Sequence, residues 1–217
     1  CRNLTPWHDL IEAEFAEHGI PFFGDRRRTA SHHPLLQIVP AMLAAAMDRF
    51  PHESMMTLAK SGLCGIARPA ADELENYVLR HAILGEGWSS ADPWSFNQSE
   101  PDEDEPPREG DFADALRLRL IKPLKPLTEA LLTREPRPVR ELVAALYQTI
   151  VDYGADEALA RQIEHAEQAR QLELAAEHEQ VWDEFTELLD EVVDLLGEET
   201  VTPSDFAEMM VNALSQF

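Results

Sequence analysis

Apolar residues recur along this chain mostly at three- and four-residue intervals, the spacing of helices that bury one face. Near the amino end, Trp7, Leu10, Ile11 and Phe15 share one side of such a repeat, with Asp9, Glu12 and Glu17 opposite. Thr5 is placed to cap this helix, Pro6 to open it, and His18-Gly19 to end it. Ile20 to Phe23 then read as a short strand, where Pro21 is tolerated only at an edge or a first strand position. A second helix is expected from Leu35 to about Arg49, entered through His33-Pro34 and kinked or started late by Pro40. It carries Leu35, Leu36, Ile38, Val39, Met42, Leu43 and Ala46.

The pattern continues in short pieces. His52 to Ser61 is a helix with Met55, Met56 and Leu58 inside, closed by Gly62, and Gly65 to Pro69 is a turn. Asp72 to His81 is helical through Leu74, Tyr77, Val78 and Leu79 and stops near Gly85. Ser89 to Gly110 has no period. Its prolines and its run Asp102-Glu103-Asp104-Glu105 leave it unable to offset its ordering entropy, so a mobile acidic loop is expected. Trp94 and Phe96 at its start are the residues placed to dock back on the helices.

Beyond the loop, Phe112, Leu116, Leu118, Leu120 and Ile121 resume the helical period, broken or kinked at Pro123 and Pro126 and continuing through Leu131-Leu132. Pro136 and Pro138 mark a boundary, and Val139 to Tyr153 is an amphipathic helix closed by Gly154. Asp156 to Leu196 reads as two helices meeting near Leu172 to Glu177, the second with a stripe from Trp182 and Phe185 to Leu196. Thr202-Pro203-Ser204-Asp205 opens a last helix in the manner of a capping box. The fold class is therefore mainly α, a helical bundle-like assembly with one short β element.

Charge changes the functional picture. The chain has 217 residues and a formal net charge of −23, from 18 Lys and Arg against 41 Asp and Glu. From Tyr153 onward the basic residues are Arg161 and Arg170. Such a surface repels phosphate and cannot be a main nucleic-acid track. Cys1 and Cys64 make neither a disulfide framework nor a zinc motif, which points to a reduced, cytoplasmic chain. No apolar run is long enough to span a membrane. The start at Cys1 is read as that of a piece from a longer protein.

Candidate chemistry is sparse. Arg26, Arg27 and Arg28 follow the strand as three planar, permanently charged forks, suited either to ion pairs with Asp25 and acidic helices or to a phosphate. His32 and His33 are not read as metal ligands, because adjacent side chains point apart and no Glu-x-x-His or His-x-x-x-His accompanies them. There is no Walker-type phosphate loop and no Gly-x-Ser-x-Gly. Scattered carboxylates do not make a two-metal site unless they converge. No catalytic residue and no metal site is assigned.

The run GIPFFGDRRRTASHHPLLQIVPAML, with the later Asp72-Glu73-Leu74-Glu75-Asn76-Tyr77-Val78-Leu79, Gly85 and Trp88, resembles the AddB (RexB) components of the AddAB (RexAB) helicase–nucleases. These fall within the UvrD/Rep/PcrA group of superfamily 1. The resemblance implies a stretch from motif IV to just before motif V. Residues 1–60 would open motor domain 2A, and 61–217 would form the helical 2B insert with its acidic loop at 89–110. Arg2 falls on the motif IV arginine that reaches nucleotide phosphates, although a surface arginine at a frayed helix end fits equally. The resemblance implies ATP and Mg for the parent, with no cofactor in this stretch. The cysteines that hold an iron–sulfur cluster in many AddB proteins would lie outside it. It also implies DNA and an AddA-like subunit as partners, and end processing at double-strand breaks for recombination. The rival readings are a free-standing acidic helical adaptor and a helical enzyme with an unrecognised site.

Overall fold

The computed structural model describes residues 32–94, 109–133 and 135–216, together with Glu14, Phe15, His18 and Ile20. Eight α-helices follow one another among the described residues: α1 (Pro34–Met47), α2 (His52–Lys60), α3 (Arg68–Arg80), α4 (Glu109–Leu131), α5 (Val139–Asp152), α6 (Ala155–Gln168), α7 (Leu172–Leu196) and α8 (Pro203–Leu214). A single 3-10 turn covers Gly85–Gly87. Strands β1 (Arg137–Pro138) and β2 (Thr200–Val201) pair antiparallel, Arg137 opposite Val201 and Pro138 opposite Thr200. The chain is thus mainly helical, as the periodicity predicts. The sheet lies at the joints before α5 and α8; the strand expected at Ile20 to Phe23 falls almost wholly outside the described residues.

Helix α1 is the axis of the assembly, packed against α2, α4 and α8. Nine of its side chains are buried, from Leu35 to Ala46. Pro40 removes one helical N–H but the helix runs through it, because burial on nearly every side outweighs one lost bond. Its start is capped as the His33-Pro34 pair suggests: the His33 ring accepts from the Leu35 N–H at 3.2 Å, and Pro34 takes the first turn.

The helix ends divide into two kinds. Gly62 and Gly154 take left-handed conformations where the sequence places breaks. Three other ends use non-glycine residues in the same conformation: Arg49, Ala82 and Arg170. Each is followed by an amide that reaches back to close a Schellman motif: Phe50 to Ala45, Ile83 to Val78, and Gln171 to Ala166.

Several boundaries move from their sequence expectation. Arg68 and Pro69 belong to the first turn of α3 rather than to a turn before it. Helix α4 is continuous through Pro123 and Pro126. Leu120, Leu124 and Leu127, all fully buried, hold its inner face across both prolines. The α6–α7 junction lies at Ala169 to Gln171, slightly before the expected meeting point. Of the stretch predicted as a loop, residues 89–94 are placed and Glu109 onward is helical, while residues 95–108, Phe96 among them, lie outside the described residues.

Pro138 offers no side-chain cap to α5, so the opening amides are satisfied across the joint. Val139 donates to the Glu199 carbonyl at 2.9 Å and Arg140 to the Gly197 carbonyl at 3.2 Å. Thr202 caps α8 by accepting from the Asp205 N–H, and its hydroxyl donates back to the Asp205 carboxylate at 2.7 Å. One continuous core runs from Leu35 in α1 to Leu214 in α8.

Candidate functional site

The arginines singled out from sequence, Arg2, Arg26, Arg27 and Arg28, lie outside the described residues. The segment that follows them is placed, and it makes a contact with no local sign in the sequence. His33 is buried, and its Nε2 lies 2.7 Å from Nδ1 of His178 on α7, a residue 145 positions away. Because His33 Nδ1 accepts from Leu35, its proton sits on Nε2, which donates to His178. Both rings are therefore neutral. Burial, and then the neighbouring His178, push His33 down to about 4; burial also lowers His178, against the pull of Glu177. His32 stays exposed. The pair fastens the start of α1 to α7.

A second constellation surrounds Arg117 on α4, which is 3% exposed. Its Nη1 donates to the carbonyls of Trp88 at 3.1 Å and Ser90 at 2.7 Å, and its Nε lies 2.8 Å from the Asp114 carboxylate. Asp114 in turn accepts the Trp94 N–H at 3.0 Å, and the Trp94 indole donates to the Gly87 carbonyl. The Arg117 guanidinium lies 5.4 Å from the Trp94 ring centre. Trp94 also stacks on Tyr77 and meets Trp88 edge-on at 5.2 Å. Trp94 thus docks as its composition suggests, and Arg117 is the residue that receives it. In the run Leu116-Arg117-Leu118-Arg119-Leu120, only the apolar period could have hinted that position 117 faces inward.

Other polar groups are held for structure. Lys60 sits between Glu75 and Asp72, and the hydrogen bond from Lys60 to Glu75 raises its ammonium pKa first among several causes. Burial pushes the Cys64 thiol up to about 12, so it stays protonated and is no nucleophile. Tyr153 donates to the Leu120 carbonyl at 2.6 Å, and burial holds its pKa well above the usual phenol value. An open groove of about 450 Å³ runs beside α6 and α7, lined by Gly62, Arg161, Gln162, His165, Gln171 and His178 among others. Among the described residues no three His, Cys, Asp or Glu side chains gather where a metal could bind. The geometry thus joins and locks elements. Among the described residues it presents no activated nucleophile and no paired acid and base.

Among the described residues, no helix is long and apolar enough to cross a membrane. No protein-family model matches the chain. Among curated proteins it is 36% identical over 216 residues to the B-type component of the ATP-dependent helicase/deoxyribonuclease of Moorella thermoacetica, covering 98% of this chain and 19% of that protein. It is 36% identical over 223 residues to the protein of the same description from Symbiobacterium thermophilum, with 97% and 19% covered. With that from Desulforudis audaxviator the identity is 33% over 220 residues, with 96% and 19% covered. The chain spans about a fifth of the length of the curated relatives it matches. At this identity over nearly its whole length, the chain belongs to the AddB family of helicase/deoxyribonuclease subunits, as the counterpart of one stretch of those proteins.

Proposed function

We propose that this chain is a structural and regulatory part of an AddB-like subunit that acts with a partner subunit on DNA ends. The observation that carries the reading is the 31–36% identity to AddB-type helicase/deoxyribonuclease subunits across 96–100% of this chain in the first seven relatives. Residues 1–60 open a 2A-type motor domain and residues 61–217 form a 2B-type insert. ATP and Mg serve the parent, and this stretch holds neither. Arg2 approaches the nucleotide, and Arg26, Arg27 and Arg28 approach a phosphate. The parent works in the cytoplasm, in end processing at double-strand breaks for recombination.

Purification of the parent subunit with its partner tests this. ATP-dependent unwinding or degradation of linear duplex is expected, with Arg26→Ala, Arg27→Ala and Arg28→Ala together lowering DNA affinity. A complex that takes no DNA substrate under any nucleotide or metal condition would overturn the reading.

A further inference from the structure

Most cations on the described surface are already matched by a carboxylate of this chain. Arg49 meets Glu86, Lys60 meets Glu75 and Asp72, Arg137 meets Glu141, Arg140 meets Glu198, and Arg161 meets Glu157. Helix α4 departs from this. Arg119 and Lys122 are exposed and have no carboxylate within 4 Å among the described residues. Lys125, 75% exposed at its side chain, reaches Glu129 only at 3.9 Å. Arg170 is also unmatched, but it stands alone at the α6–α7 turn between Glu167 and Glu173.

The three α4 cations form a row. Three-residue steps advance about 4.5 Å each along a helix, so the row spans roughly 9 Å within about a third of the helix circumference. Its backing is firm, because Leu120, Leu124 and Leu127 are fully buried on the opposite side. Arg119 lies close over the turn beneath it: a Cβ at Gly65 would come within 2.8 Å of its Nη2, so glycine leaves room for the guanidinium where it sits. Gly65 also has a φ of +65°, which suits glycine independently.

In a chain of net charge −23, a row of two unmatched cations and one loosely paired lysine on a rigid face has a physical reading. A cation that is already paired must break its ion pair to meet a phosphate. An unpaired one binds directly, and each phosphate neutralised releases condensed counterions. We infer that the outer face of α4, through Arg119, Lys122 and Lys125, contacts the phosphodiester backbone of DNA. This rests on the reading of the chain as part of a DNA-processing subunit, and it adds residues other than Arg26 to Arg28. The exposed acidic face of α7 repels the same backbone.

The test uses the parent subunit assembled with its partner. Lysine acetylation is mapped by mass spectrometry with and without duplex DNA at low salt, with Lys60 as a DNA-independent control. DNA affinity is then titrated against salt for the parent and for its Arg119→Gln, Lys122→Gln, Lys125→Gln variant. Lys122 and Lys125 should react freely without DNA and several-fold more slowly with it. The variant should keep the thermal midpoint of the parent and reduce the salt slope of binding by about 2–3. Slow acetylation in the absence of DNA would mean that a protein surface covers α4, and it overturns the inference. DNA binding with both lysines unprotected and the slope unchanged overturns it too. Failure of the unaltered parent to bind DNA would instead sink the reading of the chain, and this inference with it.

Discussion

Helices α1 and α7 are held in opposite ways. Helix α1 has 14 residues and buries nine of them, so it is apolar nearly all round and keeps its shape despite an internal proline. Helix α7 has 25 residues but buries five: Ala175, His178, Val181, Phe185 and Leu189. Its remaining surface is largely acidic and faces solvent. The first helix is defined by what surrounds it, the second by one stripe and a polar fastening, His33 to His178, back to the first. The lesson is that sequence change around α1 and α4 should be costly, and change on the outer face of α7 nearly free.

The largest break in that contrast should come from Arg117. Arg117→Ala leaves the Asp114 carboxylate, 14% exposed, without its cation and two carbonyls without their donor. Removing one partner of a buried ion pair costs about 3–5 kcal/mol. Urea unfolding followed by tryptophan fluorescence should show that loss, and with it a change in the native signal of Trp88 and Trp94. A loss under roughly 1 kcal/mol, the range of surface pairs, would mean that the constellation is not what holds residues 88–94.

Next comes the fastening between the two helices. Burial lowers the His33 pKa to about 4 from an unfolded value of 6.5, so the unfolded chain binds the proton more readily. The contribution is therefore fully present above pH 6.5 and is lost as pH falls from 6.5 toward 4. Its size is about 3 kcal/mol by linkage. His33→Asn keeps a side chain able to cap α1 but cannot titrate. The stability difference between the two proteins should be larger at pH 7 than at pH 4, which cancels the background from other carboxylates. A difference that does not change with pH would show that the pair is not buried neutral.

Two smaller effects sharpen the comparison. Ala82→Gly at the end of α3 relieves a φ of +49° and should raise stability by less than about 1 kcal/mol, since glycine also loses more entropy on folding. Glu191→Gln on the outer face of α7 should move the thermal midpoint hardly at all, within the roughly 0.5 kcal/mol of ordinary surface changes. A loss well above that at Glu191 would mean that the acidic face is a packed surface.

Much of the architecture was legible because its signals are local. Gly62, Gly154 and Thr202-Pro203 stand where helices end or begin, and the apolar period from Val139 to Val151 yields α5 almost to the residue. What escaped depends on contacts distant in sequence or on residues in unexpected conformations. The α6–α7 junction carries no glycine, because Arg170 adopts the left-handed turn itself. The two prolines of α4 argue for a break that its buried leucines override. Neither His178 as partner of His33 nor the pairing of β1 with β2 has any local sign. Arg117 likewise has little local sign, because its role needs Trp88, Ser90, Trp94 and Asp114 in place.

The scaffold reading meets its most direct test in the 217-residue chain by itself. Purified to a single folded species, it is assayed for ATP hydrolysis and for DNA cleavage with Mg, with and without linear duplex. Neither activity should exceed buffer, because no described group is an activated nucleophile or a converged metal site. Metal- and DNA-dependent turnover that survives repurification and disappears on substituting one residue of this chain would contradict it.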